Sequence, residues 1–129
     1  MVVEGAGTHN GVTNDLLDTA RSVQRVICPP KNSYSVYDTI LEACQKFDKD
    51  KLFLVSLGAA AKPLAQDLYG AGYRVIDIGN LDNEYEWFLE GTTVKHDVPK
   101  IKILTEEDNR KAGFDKYLGE IAVRIEPAQ

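Results

Sequence analysis

The chain has 129 residues, of which 43% are apolar and 27% charged, and a formal net charge of −5. That composition supports one domain around a single core and excludes global disorder. The acidic balance leaves no basic field for a nucleic-acid backbone, and no run reaches the roughly 18 apolar residues of a membrane span. Met1-Val-Val-Glu-Gly5 has neither the basic region nor the apolar stretch of a secretion signal, so the expected location is cytoplasmic. The two cysteines, Cys28 and Cys44, fall at the end of a strand-like run and on the apolar side of a helix-like one. Such positions suit reduced core residues better than a disulfide or a metal site.

Val2-Val3 opens the chain as a strand, and Asn14 is a good cap for a short helix running to about Ala20. Gln24-Arg-Val-Ile-Cys28 is a β-branched run stopped by Pro29-Pro30. Ser35 with Asp38 three residues on resembles a capping box, and Val36, Ile40, Leu41, Cys44 and Phe47 recur at helical spacing. Lys51 to Leu57 is nearly continuous in apolar character, as expected of a parallel strand covered on both faces. After Gly58, residues Ala61, Leu64, Ala65 and Leu68 form a helical stripe with Pro63 in its first turn, ended by Gly70 and Gly72. Tyr73-Arg-Val-Ile-Asp-Ile78 is the next strand. Weaker patterns place a strand over 98–104, a charged helix over 106–118 and a last strand over 121–125. The alternation predicts an α/β fold in one domain over 1–129: a Rossmann-like, mainly parallel sheet with helices on both faces.

In such a sheet a ligand sits beyond the carboxyl ends of the strands, where helix N-termini offer free N–H groups. The loops at that edge are Glu4 to Gly11, Pro29 to Asn32, Gly58 to Ala61 and Gly79 to Trp87. The last follows Asp77 with Asp82, Glu84 and Glu86, and crowded carboxylates need water, a cation or hydrogen-bond donors to share. Tyr85 and Trp87 can stack on a sugar or base ring. The alternative reading of this edge is a helix starting after Asp82, with Tyr85, Trp87 and Phe88 as core anchors and the acids favouring its N-terminal dipole. His9 reads as a solvated loop residue, His96 as surface, and Glu106 to Lys111 as a solvated helical face. Lys31 and Asn32 either reach a phosphate or face water.

Four blocks in order, Val3-Glu-Gly-x-x-Thr-x-x-Gly-Val-x-Asn-Asp-Leu16, Ile27-Cys-Pro-x-x-Asn32, Leu57-Gly-x-x-Ala-x-x-Leu-Ala-x-Asp-Leu68 and Ile76-Asp-Ile-Gly-x-x-Asp-x-Glu-Tyr-Glu-Trp87, resemble the GT-D type glycosyltransferases of bacterial surface glycan, exopolysaccharide and glycoprotein assembly. The resemblance spans about residues 2 to 90. It implies a Rossmann-like fold, a nucleotide-diphosphate sugar donor, a glycan acceptor, and a divalent cation, manganese or magnesium, in the complete enzyme. It implies sugar or acceptor chemistry at Asp82, Glu84 and Glu86. Substrate binding is implied at Glu4, Thr8, Asn14, Asp15, Gly58, Asn80, Tyr85 and Trp87.

Two departures qualify the expectation. The family's upstream Gly-Asp-Gly-Glu block, with its acid-x-acid metal site, has no counterpart here, so the chain reads as the C-terminal half of a transferase domain, inactive alone, with no metal ligand of its own. Asn80 stands where relatives tend to have His, and Ala59-Ala60 where they have Pro-Thr. A half-domain is expected to self-associate or to pair with the missing half. The contrasting expectation is a non-catalytic interaction module that pairs with a second polypeptide.

Overall fold

The computed structural model describes residues 1–98 and 114–129. Five strands, β1 (Val2–Gly5), β2 (Arg25–Cys28), β3 (Leu52–Ser56), β4 (Arg74–Asp77) and β5 (Ile121–Arg124), form one sheet in the order β4-β3-β1-β2-β5, every pair parallel. The helices are α1 (Tyr37–Cys44), α2 (Ala61–Gly70), α3 (Leu81–Glu90) and α4 (Phe114–Glu120), and short 3-10 turns at Ser33–Val36 and Gly58–Ala60 lead into α1 and α2. This is the expected Rossmann-like α/β architecture. The expected strand over 98–104 lies outside the described residues save for Val98, as does the acidic segment 106–111.

The core forms where the period-two pattern of the strands meets the helical stripes. Val3 is registered against Val26 on one side and Val55 on the other, and Val26 against Val123, so a row of valines crosses four strands on one face. Ile40, Ala43 and Cys44 of α1 and Ala61, Leu64 and Leu68 of α2 cover that row, with Phe53 and Tyr73 meeting edge to face at 5.2 Å. Burying each of these leucines contributes about 1.5–3 kcal/mol.

The opposite face is thinner. Val12, Ile27 and Tyr117 make a second small cluster there, with Phe114 and Ile121 against it. Toward β4 that face is open: Leu52 and Ile76 are exposed. The continuous apolar run of β3 therefore does not mean cover on both faces; it is covered on one and partly bare on the other.

Two local expectations fail. Residues 14–20 form isolated turns, with Asp18 N–H bonding the Asp15 carbonyl and Ala20 N–H that of Leu17, and no helix. Asn14 does accept from Leu16 N–H at 3.0 Å as a cap would, but its amide is committed elsewhere and Thr13 before it is left-handed at φ 68°. The Ser35–Asp38 capping box is likewise absent, because Ser35 Oγ donates backward to the Asn32 carbonyl at 2.8 Å. Among the described residues no helix is long and apolar enough to cross a membrane.

Both cysteines are free and buried against α1 and the sheet. Burial pushes the Cys28 and Cys44 thiols up from 9.0 to about 12. A raised thiol value means that the unfolded chain loses its proton first, so the contribution to stability is complete below pH 9 and is lost as pH rises toward 12. Unfolding free energy is expected to fall above pH 9 by about 1.4 kcal/mol per thiol per pH unit, and Cys28→Ala with Cys44→Ala should flatten that slope in urea titrations at pH 8 to 10.5.

Candidate functional site

Because β1 is central and the chain leaves it toward β2 but returns through β3 to β4, the loops after β1 and β3 diverge and open a crevice at the carboxyl edge. A cleft of ≈1010 Å³ occupies it. One wall is the loop after β1, with Ala6, Gly7, Thr8 and Asn10; the other is the end of β4 and the start of α3, with Asp77, Gly79, Asn80, Asp82 and Asn83. Ser56, Gly58 and Lys62 form the floor between them, and Asp97 and Val98 return to it from beyond α3. A smaller cavity of ≈240 Å³ adjoins it between Pro29–Tyr34 and Ser56–Ala60.

The loop after β1 is built on alternating backbone handedness. Gly7, His9, Gly11 and Thr13 have φ of 88°, 53°, 73° and 68°; the two glycines adopt it freely, whereas Thr13 is a β-branched residue in a region that L side chains avoid. Left-handed His9 and Thr13 each cost about 1–3 kcal/mol. Alternation turns successive N–H groups to one side, a geometry that favours anions. The anions it meets are the protein's own: Asn10 N–H donates to Glu4 Oε2 at 2.9 Å, and Gly11 N–H to Asp82 Oδ1 at 2.8 Å. A Cβ at Gly11 would also strike Leu17 at 2.7 Å.

Glu4 is fully buried. Its Oε1 pairs with Arg25 Nη1 at 2.8 Å and its Oε2 takes the Asn10 side-chain amide at 2.6 Å. Arg25, also buried, donates to the Asn10 carbonyl and reaches Glu120 at the end of α4. Glu4 therefore faces the inside of the loop, away from the cleft.

Asp82 lines the cleft but is only 4% exposed, and its Oδ1 also accepts from Asn14 Nδ2 at 3.0 Å. The same Asn14 amide donates to Glu86 Oε1 at 2.7 Å. Tyr85 donates its hydroxyl to Asp15, and its ring stacks on Phe88 rather than over the cleft. Trp87 donates Nε1 to the His96 carbonyl at 3.1 Å. Glu84 is exposed and does not line the cleft. Thr8, Gly58 and Asn80 line it; Asn14, Asp15, Tyr85, Glu86 and Trp87 stand behind its wall.

The core-anchor alternative for α3 is not what forms. Phe88 is 74% exposed and Trp87 half-buried, while the acids Asp82 and Glu86 face the protein. His9 corrects another expectation: it is half-buried, edge-on to Tyr117 at 4.6 Å and to Phe114 at 5.4 Å. His96 is exposed and paired with Glu90 at 2.9 Å.

Arg25, Lys62 and Asp97 also bear on the site. Arg25 carried a signal, a cation inside a β-branched run opposite an acid inside another, Val2-Val-Glu4. Lys62 and Asp97 carried none, since an exposed charge near a loop is ordinary. Among the described residues no group of three His, Cys, Asp or Glu side chains is disposed to hold a metal ion. Asp82 and Glu84 do not converge, because Asp82 is turned into the loop while Glu84 points to solvent.

An open parallel sheet with a polar cleft at its switch point defines the chain as an α/β protein with its cleft at the carboxyl edge of the strands. Residues 1–106 match the family described as glycosyltransferase GT-D fold, and the chain belongs to that family. It is 46% identical over 95 residues to a probable glycosyl transferase, Gly, of Streptococcus gordonii, and 40% identical over 95 residues to the glycosyltransferase GlyD of Streptococcus pneumoniae serotype 4. The aligned part is 74% of this chain and 14% and 12% of those two proteins, so the chain spans a small share of their length. A solved structure described as a new glycosyltransferase from Streptococcus sanguinis superposes with a TM-score of 0.84 at 37% identity, covering 97% of this chain and 48% of that one. A second, described as having a distinct glycosyltransferase fold, gives 0.83 at 37% identity, over 97% of this chain and 46% of its own.

Arg25→Met is expected to lower stability by about 3–5 kcal/mol, since it leaves the Glu4 carboxylate buried without its cation. Adding Glu4→Gln should recover part of that loss, and urea unfolding of the single and double variants measures both.

Proposed function

We propose that this chain forms the donor-binding part of a glycosyltransferase that moves a sugar from a nucleotide-diphosphate sugar to a bacterial surface glycan or glycoprotein acceptor. The observation that carries the reading is the ≈1010 Å³ cleft at the carboxyl edge of a GT-D sheet, at the upper end of the roughly 300–1,000 Å³ typical of ligand sites. Its contents suit a diphosphate sugar. The N-terminal end of α2, entered through Gly58–Ala60, favours an anion, and Lys62, 86% exposed on the first turn and 3.8 Å from Asp77, can swing to a phosphate. Thr8, Ser56, Asn80 and Asn83 offer hydroxyl and amide groups to ribose or sugar.

The acids divide by position. Asp82, with Asp77 and Asp97, belongs to the cleft; Glu86 is turned to the loop by Asn14, and Glu84 is on the solvent side of α3, where an acceptor could approach with Tyr85 and Trp87. A divalent cation, manganese or magnesium, is part of this proposal for the complete enzyme, but the described residues do not fit one as a set, so no step is assigned to a metal held here. A cytoplasmic setting, where nucleotide sugars would be the donors, belongs to the same reading.

The bare outer face of α3 favours a second reading, an interaction module. Phe88 is 74% and Leu89 53% exposed, and such a face is ordinarily covered by a partner. The two readings separate in one set of measurements. Under the first, residues 1–129 bind a nucleoside diphosphate by calorimetry yet show no turnover of nucleotide sugars above background, because the chain covers only 48% of the solved glycosyltransferase it superposes on. Manganese-dependent turnover by residues 1–129 would overturn the half-site proposal. Failure to bind any of UDP, GDP or CDP would overturn the donor cleft and leave the module.

A further inference from the structure

We infer that Asn14, Asp82 and Glu86 form a latch that fixes the width of the cleft, and that Asn14 is a positioning residue of the donor site. The inference rests on the donor-cleft reading for its functional part, while the latch itself stands on geometry. The cleft has two walls, the loop after β1 and the β4–α3 edge, drawn from segments about seventy residues apart. One side-chain amide joins them: Asn14 Nδ2 spends one hydrogen on Asp82 Oδ1 at 3.0 Å and the other on Glu86 Oε1 at 2.7 Å.

The two acceptors are four residues apart on α3, so they stand on one helix face and would repel each other if nothing lay between them. A planar amide with two divergent N–H groups suits that gap. A lysine would match the charge but not the fork, and an aspartate would add a third negative charge. Gly11 N–H adds a second fastening to Asp82 at 2.8 Å, and the Tyr85 hydroxyl adds a third to Asp15. Asn14 itself does not line the cleft, so any effect it has on a bound donor passes through the wall. Asp82 is thereby held as an acceptor of two N–H donors on the loop, a role distinct from taking a proton off an acceptor sugar.

The test is hydrogen exchange of residues 1–129 together with calorimetric titration of UDP, GDP and CDP. In Asn14→Ala, amide exchange of residues 6–18 and 80–90 is expected to rise at least tenfold. Exchange in β2, α1 and α2 should stay unchanged, and affinity for whichever diphosphate the native chain binds should fall about tenfold. Glu86→Ala should do the same to a lesser degree, and the double variant should be no worse than Asn14→Ala alone, because both remove one device. Ile40→Val, a core change that lowers global stability without touching the latch, should leave local exchange and affinity as they are. Asn14→Ser, which keeps one hydroxyl donor too short to serve both acids, carries the same two readouts should Asn14→Ala not fold. Unchanged exchange in both segments would overturn the latch. Opened segments with undiminished affinity would overturn the positioning role. A native chain that binds no diphosphate removes the donor-cleft reading but leaves the latch to stand or fall on exchange alone.

Discussion

The ion pair between Glu4 and Arg25 is the constraint around which the thinner half of the protein is arranged. Two opposite charges on adjacent parallel strands are taken out of water together, and each must then find every remaining hydrogen-bond partner from the protein. Glu4 finds Asn10, through both its backbone and its side chain; Arg25 finds the Asn10 carbonyl and Glu120. Those partners come from the loop after β1 and from the end of α4, so satisfying the pair draws both elements onto the sheet. Tyr117 then lies under the guanidinium at 4.9 Å, and His9 packs against Tyr117 in turn. An apolar pair of similar volume could hold the strands equally well, but it would not specify where the loop goes.

The same requirement turns α3 inside out. An amphipathic helix ordinarily buries its apolar stripe, yet here the loop after β1 presents N–H donors to α3. The acids satisfy those donors, so Asp82 and Glu86 face inward and Phe88 and Leu89 are left outside. The four carboxylates that crowd this edge in sequence are thus shared out: Asp77 to the Gly79 amide and Lys62, Asp82 and Glu86 to the loop, Glu84 to solvent.

What was legible in the sequence follows the range of the interactions involved. The strand over Tyr73–Ile78 and the stripe from Ala61 to Leu68 are local patterns of period two and 3.6, and they formed within a residue or two of expectation. The carboxyl-edge placement of the loops at Thr8, Gly58 and Asn80 also followed, because a parallel α/β alternation leaves few other edges. The helix proposed over 14–20 did not form because Asn14 answers to Asp82 and Glu86, 68 and 72 residues away, and no window of sequence contains that demand. Glu4 was hidden for a related reason: an acid just past a strand looks like a ligand until its counter-ion on the neighbouring strand is seen.

The position of β5 in the sheet bears on the order in which the chain can become native. Arg25 lies early, but its second carboxylate, Glu120, arrives 95 residues later, at the junction of α4 with the strand that pairs with β2. During synthesis the emerging chain can pair β1 with β2 and β3, and cover their valine row with α1 and α2, well before that carboxylate exists. Until then one edge of β2 is unpaired and its arginine is only half-neutralised. Closure of such a distant contact is slow because loop entropy is spent before any pairing is gained. The pairing of β5 with β2 is thus also the contact that finishes the electrostatics of the first two strands, and a nascent chain stalled short of residue 120 would leave that edge open and charged.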